Sequence, residues 1–140
     1  MRNLLLTILL CLLFGGCLSL SVDMPEGITA EELIQRGQEA SDRSRYRQAL
    51  QYYEAVSQRF PTNIDMICAA EYEIAHVHYK QKKYDQAKLE LNALLARYNT
   101  PDEALLPPQF KRLANIVLER IAQKEAGFTG FFSRKGRANR

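Results

Sequence analysis

The stretches Ser44-Arg45-Tyr46-Arg47-Gln48-Ala49 and Lys82-Lys83-Tyr84-Asp85-Gln86-Ala87 are two copies of one pattern. Each copy reads polar–basic–Tyr–x–Gln–Ala, and a large side chain follows four residues after the alanine, Tyr53 in one copy and Leu91 in the other. Self-similarity at a fixed offset indicates a repeat architecture, in which each unit buries its apolar face by stacking on its neighbour. We therefore predict two copies of one supersecondary unit.

The residues around both copies have the period of an α-helix, since apolar residues recur every three or four positions from Ala30 to Ala126. No segment alternates like a strand, so we predict an all-α domain. Thr29 with Glu32 forms a capping-box pattern that predicts a helix start, and Pro61 ends a helix at Phe60. The five predicted helices cover about 30–40, 46–60, 67–80, 84–98 and 108–126.

The last predicted helix can open at Pro107-Pro108, because proline fits the first turn of a helix. Its spacing predicts five core-facing residues: Phe110, Leu113, Ile116, Val117 and Ile121.

The N-terminal segment differs from the rest of the chain. Leu4 to Phe14 carries no charge and has the length of a signal-peptide core, whereas a membrane-spanning helix needs about 20 residues. Gly15-Gly16 then interrupts the apolar run. These features favour a secretory signal over the alternative, a permanent transmembrane anchor.

Phe14-Gly15-Gly16-Cys17 resembles the lipobox of bacterial lipoproteins. The resemblance implies cleavage before Cys17 and a diacylglycerol on its thiol, with two or more acyl chains holding the protein on a membrane. Leu18 after the cysteine implies sorting to the outer membrane. The alternative is that Cys17 is only an apolar residue that trails the signal.

Composition divides the chain into four parts: a signal peptide (1–16), a tether (17–28), a helical domain (29–126) and a basic aromatic tail (127–140). The net charge of +3 falls by one to +2 when Arg2 leaves with the signal, which is too balanced to indicate nucleic-acid binding. The tail combines three phenylalanines with four cations. It could bind an anionic membrane or a partner groove, or it could be a disordered terminus.

Cysteine content does not predict a disulfide framework. Of the 3 cysteines, Cys11 leaves with the signal and Cys17 takes lipid, so Cys68 remains alone as a predicted core residue.

The duplicated pattern resembles the tetratricopeptide repeat, a helix–turn–helix unit of about 34 residues. Small residues at the helix crossing, a tyrosine that starts the second helix and a closing proline such as Pro61 match that family. The first-helix aromatic is replaced by Leu33 in one copy and by Glu71 in the other. The resemblance implies two stacked repeats plus a closing helix, with eight packing residues: Gly37, Tyr46, Ala49, Tyr53, Ala75, Tyr84, Ala87 and Leu91.

The two copies lie 38 residues apart, and the extra residues fall in Thr62–Met66. This insertion, the preceding Arg59-Phe60-Pro61 and the following AEYEIAHVHYKQKKYDQAKLELNALLARY resemble the outer-membrane assembly lipoproteins of the BamD type. The resemblance covers residues 14–100. It implies an extended link at the insertion and a role in inserting β-barrel proteins into the outer membrane. Members of that family are usually much longer, with about five repeats.

No catalytic constellation is evident, and we predict no enzyme, no cofactor and no metal. His76-Val77-His78 is the only histidine cluster, and residues two apart on a helix do not face each other. The chain has no glycine-rich phosphate loop and no GxSxG motif.

A partner-binding surface is the better hypothesis. In the repeat family, the first helix of each pair lines the concave side. The positions in the second copy would be Tyr72, His76, Tyr79 and Lys80, spaced as one stripe. Aromatic rings beside a cation suit the anchoring of a peptide or helix. The alternative is that Tyr72 and Tyr79 simply pack on the closing helix.

The first copy offers Ile34, Gln38 and Asp42 on the same side, while Tyr52 could lie on the convex face, where its neighbours are polar. We therefore predict a membrane-anchored scaffold that binds other envelope proteins, with a β-barrel assembly protein as the expected partner. The alternative is another envelope adaptor, such as a secretin pilot or a cell-wall or division coordinator.

Overall fold

The structure, a computed structural model, describes the backbone of residues 22–137 and the side chains of residues 22–127. Within that part it contains five α-helices, one 3-10 helix and no strand. The helices are α1 (Ala30–Asp42), α2 (Tyr46–Arg59), α3 (Ile64–Lys80), α4 (Tyr84–Arg97), the 3-10 helix (Pro101–Leu105) and α5 (Pro108–Arg137). The prediction of an all-α repeat domain is confirmed. The predicted signal peptide and Cys17 lie outside the described residues.

Local signals in the sequence explain where α1 begins. The Thr29 side chain accepts a hydrogen bond from the Glu32 amide, and the Glu32 carboxylate accepts one from the Thr29 amide. This capping box satisfies two amides that have no partner inside the helix.

The two hairpins turn in the same way. Ser44 (φ 59°) and Lys82 (φ 62°) adopt the left-handed conformation one position before the N-cap of the second helix. Their amides and those of the next residues bond back to carbonyls near the end of the first helix. A left-handed residue after a helix lets the chain reverse within three residues.

Small residues allow the paired helices to approach closely. A Cβ built on Gly37 would lie 2.7 Å from two carbons of the Tyr53 ring, so only glycine fits there. In the second hairpin, Ala75 and Leu91 occupy the equivalent buried positions. Ala49 and Ala87 are also fully buried, whereas Tyr46 and Tyr84 are partly buried first residues of α2 and α4.

The hairpins stack through α3, which packs against α1 and α2 on one side and against α4 and α5 on the other. Two buried clusters result. One lies mainly between α1 and α2 and includes Leu33 and Val56, and the other joins α3, α4 and α5 around Leu91 and Ile121. Because α3 contributes side chains to both clusters, the two repeats form one continuous core.

The resemblance-based expectation of an extended link at Thr62–Met66 is wrong. The chain leaves α2 at Phe60, and α3 already begins at Ile64 with Asn63 as its N-cap. The Asn63 side chain accepts a hydrogen bond from the Met66 amide at 3.2 Å. The inserted residues therefore lengthen α3 at its N-terminus, because Asn63 caps the helix directly after the turn.

The closing helix is longer than predicted. The Tyr98 hydroxyl donates to the Pro107 carbonyl (2.7 Å), which fixes the approach to α5. The helix then continues to Arg137 instead of ending near Ala126, since no proline follows to remove a backbone hydrogen bond. Ile116, predicted to face the core, is exposed because α5 turns that side away from α3 and α4.

Part of the predicted tether packs on the domain. Ile28 is buried, and Val22 and Met24 pack against the first cluster. The Arg59 guanidinium donates to the carbonyls of Pro25 (3.0 Å) and Met24 (3.2 Å), which fixes this segment beside α2. Among residues 22–137, no helix combines the length and apolar character that crossing a bilayer requires.

Candidate protein-binding surface

Tyr72, His76 and Tyr79 form a continuous row of stacked rings along α3, here called the aromatic row. The Tyr72 and His76 ring centroids are 5.6 Å apart with planes inclined by 17°, and those of His76 and Tyr79 are 5.9 Å apart at 12°. Tyr79 also meets the Tyr84 ring at 6.0 Å. The structure therefore brings together three of the four residues in the predicted stripe.

Tyr72 is buried at the inner end of this row. It is 8% exposed, and its ring lies 6.0 Å from that of Phe110 on α5. Burial raises the pKa of its phenol, and the nearby Glu73 carboxylate adds to the shift. The alternative reading, packing on the closing helix, therefore describes Tyr72, whereas His76 keeps 27% of its side chain exposed.

Lys80, the predicted cation beside the aromatic rings, is bonded to the end of α1. Its ammonium donates to Ser41 Oγ at 3.0 Å and to Asp42 Oδ1 at 3.2 Å, both at the end of α1. With 29% of its side chain exposed, Lys80 joins the first helices of the two hairpins. Its charge is already paired with Asp42, which weakens the prediction that Lys80 helps to anchor a partner peptide or helix.

A polar contact extends the surface from α3 to α1. Gln38 Nε2 donates to Glu73 Oε1 at 2.8 Å, and Glu73 lies 3.9 Å from His76 Nδ1. Sequence reasoning missed Glu73. The repeat offset could have indicated it, because Gln38 and His76 are equivalent positions of the two copies. When the first helices of neighbouring repeats lie side by side, Gln38 comes next to the turn of α3 that precedes His76, and that turn contains Glu73.

The Tyr53 phenol lies beneath this polar contact. Its oxygen is buried and, within the described part of the chain, accepts or donates no hydrogen bond. Burial raises the pKa of Tyr53 well above its usual range, and the carboxylates of Glu73 and Asp42 raise it further. The Glu73 carboxylate therefore lies next to both the buried Tyr53 phenol and His76 of the aromatic row.

Two other sequence expectations have different outcomes. Tyr52, placed on the convex face by its polar neighbours, is instead buried at 7% exposure in the first cluster. The prediction that Cys68 is a core residue is confirmed, since it is fully buried. Burial raises the pKa of its thiol, which keeps it protonated and unreactive.

The two histidines point to different neighbours. His78 Nδ1 lies 2.7 Å from Glu90 Oε2 on α4, on another side of the helix from the aromatic row. Over the described residues, no three His, Cys, Asp or Glu side chains lie together as a metal site would require.

Residues 40–106 match the tetratricopeptide repeat family, a range that begins near the end of α1 and includes α2, α3 and α4. The helical domain has the tetratricopeptide-repeat fold. This family consists of repeats that mediate contacts between proteins and that carry no catalytic machinery of their own.

An uncharacterized protein of Treponema pallidum (strain Nichols) is 37% identical to the chain over 99 residues. The match covers 71% of this chain and 40% of that protein, so the chain spans less than half the length of its relative. No solved structure matches the chain.

Proposed function

We propose that this protein is a scaffold that holds other envelope proteins through the concave side of its repeat domain. The observation that carries the proposal is the partly exposed His76, which lies between two aromatic rings and beside the Glu73 carboxylate. Aromatic groups held rigidly by their neighbours lose little entropy on binding, which makes them effective anchors for a peptide or a helix.

The chemistry of this surface favours a partner segment with an apolar or cationic side chain. His76 keeps part of its ring exposed, and the Glu73 carboxylate beside it supplies negative charge on the same side. A lysine or arginine of the partner could pair with the Glu73 carboxylate while its stem covers the rings.

We further propose that a lipid on Cys17 attaches the scaffold to a membrane, at the periplasmic face of the outer membrane. The support is the sequence Phe14-Gly15-Gly16-Cys17-Leu18 and the uncharged run before it. Replacing Cys17 by Ala should release the protein from the membrane fraction, whereas retention would indicate that the apolar run itself is the anchor.

We also propose that this scaffold acts as a subunit of the complex that inserts β-barrel proteins into the outer membrane. The support is the resemblance of residues 14–100 to assembly lipoproteins of the BamD type. An adaptor for secretins, or for cell-wall or division enzymes, is the second candidate. It is favoured by the helical start of α3 at Ile64, where the resemblance to the BamD type implied an extended link.

Site-specific crosslinking tests both levels of the proposal. A photoreactive amino acid at position 76, in the full chain within its own envelope, should capture a partner that mass spectrometry can identify. The same group at position 89 is the matched control, because Leu89 is 67% exposed on α4, the second helix of its hairpin.

Products from position 76 but not from position 89 would support binding on the concave side. Products from position 89 alone would contradict it. A β-barrel protein in the products supports the assembly role, whereas a secretin or a peptidoglycan enzyme would replace it with the second candidate.

A further inference from the structure

Both hairpin turns lie at the same end of the helical array. α1 and α3 run parallel, because Gln38 contacts Glu73 and, one turn later on α1 and two turns later on α3, Asp42 contacts Lys80. Asp42 and Lys80 are the last residues of their helices. The turns 43–45 and 81–83, which follow them directly, are therefore neighbours, and we call this end of the molecule the turn end.

The turn end is basic. Arg45 and Arg47 in the first hairpin and Lys82 and Lys83 in the second are exposed, and none of the four forms an ion pair among the described residues. A fifth cation, Arg43, has only a long, exposed contact of 3.8 Å with Glu39, which stabilises little.

The carboxylates at this end are largely neutralised. Asp42 is paired with Lys80 (3.2 Å), and Asp85 is paired with Lys88 (3.0 Å). The pKa of Lys88 is raised because its ammonium donates to Glu125 and Asp85. Asp23 also lies near this end and forms no ion pair among the described residues, but the four unpaired cations outnumber it, so the unpaired charge at the turn end is mainly positive.

The opposite end has the reverse sign. Glu31, Asp65 and Asp102 are exposed near the N-termini of α1, α3 and the 3-10 helix, and no ion pair is formed by any of them within the described chain. The charge of the domain is thus separated along the helix axes, which gives the molecule a preferred orientation next to a charged surface.

The N-terminal segment enters the domain at the turn end. Arg59 holds Met24 and Pro25 beside the C-terminal end of α2. Two residues earlier, Val22 and Asp23 line a cavity of about 570 Å³ together with Ser44–Gln48 and Gln51, near the N-terminal end of α2. Traced backwards, the segment therefore runs along α2 toward the basic turns.

The sequence before Val22 carries the apolar run Leu4 to Phe14 and Cys17. Cys17 lies five residues before Val22, and five extended residues reach at most about 18 Å. Any membrane that holds this part of the chain therefore lies close to the turn end.

We propose that the turn end docks on the anionic headgroups of the membrane to which the N-terminal segment attaches the protein. The occupant is a lipid surface rather than a protein, because the four unpaired cations and the point of chain entry lie together. Lysines and arginines near anionic lipid each favour the bound state, and the effect weakens with salt. This inference rests on the membrane attachment proposed above, not on the identity of the protein partner.

Docking in this orientation has a structural consequence. The helices would stand with their turns on the membrane and the acidic end pointing away, so the aromatic row would run roughly perpendicular to the bilayer. The concave side would remain open to a partner next to the membrane.

Lysine footprinting of the full chain reconstituted in vesicles tests the proposal. An amine-reactive reagent should label Lys82 and Lys83 about fivefold more slowly in vesicles containing phosphatidylglycerol than in phosphatidylcholine vesicles. Lys111, at the other end of the molecule, should label equally in both and serves as the internal control. Added salt at about 0.5 M should remove most of the difference, because it shortens the screening length.

A matched pair of variants sharpens the test. Arg45→Gln with Arg47→Gln should restore the labelling of Lys82 and Lys83 toward the phosphatidylcholine rate. Arg112→Gln with Arg120→Gln, which removes two exposed arginines of α5, should leave the protection unchanged. Circular dichroism of both variants verifies that the helices are intact.

The outcomes separate this inference from the proposed attachment. Equal labelling of Lys82 and Lys83 in both vesicle types, with the protein still bound, overturns the docking orientation and leaves the attachment in place. Loss of the protein from the vesicles overturns both. Protection by an envelope protein extract without vesicles would assign the turn end to an acidic protein and overturn the lipid surface as its occupant.

Discussion

At the scale of single residues, the two hairpins bring their paired helices into contact with different pairs of side chains. Gly37 faces the large ring of Tyr53 in the first hairpin, whereas Ala75 and the smaller Leu91 hold the equivalent positions in the second. Removing one methyl group from the first helix makes room for an aromatic ring on the second. This compensation explains why the repeats share a pattern while their side chains differ.

The Gly37–Tyr53 pair predicts a strong coupling between two substitutions. Gly37→Ala should destabilise the domain by about 1–3 kcal/mol, because the new methyl group overlaps the Tyr53 ring. In the double variant with Tyr53→Leu, which copies the second hairpin, most of that extra cost should disappear. Urea unfolding of the four proteins measures the coupling free energy.

Gly127→Ala is the matched control for the glycine substitution, because a methyl group added there would meet nothing within 4 Å and the position is also helical. It should be neutral or stabilising by up to about 1 kcal/mol. Strictly additive effects of Gly37→Ala and Tyr53→Leu would contradict the packing argument.

Buried phenols predict a loss of stability at alkaline pH. Burial raises the pKa of Tyr98 to about 12 from the usual 10.0, and the pKa values of Tyr53 and Tyr72 are also raised. The folded state therefore favours neutral phenols. Their contribution is fully present below pH 10 and is lost as the pH rises toward 12.

Absorbance at about 295 nm during an alkaline titration should show late ionisation of three phenols, those of Tyr53, Tyr72 and Tyr98. Tyr98→Phe should remove one late phenol, and it should also lower stability because the hydroxyl bonds to Pro107. Titration of all the phenols near pH 10 in a protein that is still folded would show that these rings are solvated.

The alignment of side chains along one helix was easier to predict from the sequence than their contacts with neighbouring helices. The stripe spacing correctly placed Tyr72, His76 and Tyr79 in one row, because helical periodicity is a local property. It could not show that Lys80 is paired with Asp42 or that Tyr72 meets Phe110, because both contacts depend on how neighbouring helices stack.

At the scale of elements, sequence signals predicted which helices exist better than where they end. Thr29 and Pro61 mark boundaries by local chemistry, and the structure places helix ends next to them. The start of α3 was predicted too late. An asparagine occurs both in turns and at helix N-caps, so the sequence alone did not show that Asn63 caps a helix rather than belonging to an extended link. The left-handed conformation of Ser44 and Lys82 was not predicted either, because neither residue is a glycine.

The cap at Asn63 gives a direct test of the revised α3 boundary. Asn63→Ala should lower the free energy of unfolding by about 1 kcal/mol, because the Met66 amide loses its acceptor. Asn63→Asp keeps an acceptor oxygen and should retain nearly full stability. If the alanine and aspartate variants unfold at the same urea concentration, the helix does not depend on this cap.

At the scale of the whole molecule, α3 couples the two repeats. Ala70 and Val77 belong to the first cluster, while Cys68 and Ala75 belong to the second. Neither hairpin can lose its packing without exposing a face of α3. The closing helix completes the second cluster with Val117 and Ile121, which explains how an array of two repeats forms a core.

Shared packing on α3 predicts one cooperative unfolding transition. Leu33→Ala in the first cluster and Ile121→Ala in the second should each destabilise the whole domain by about 2–5 kcal/mol, because both side chains are fully buried. Far-ultraviolet circular dichroism and tyrosine fluorescence should report coincident transitions in urea for both variants. The exposed Leu89→Ala should change stability by less than about 0.5 kcal/mol. A biphasic curve for Ile121→Ala, with the first hairpin intact at intermediate urea, would mean that α3 does not transmit stability between the repeats.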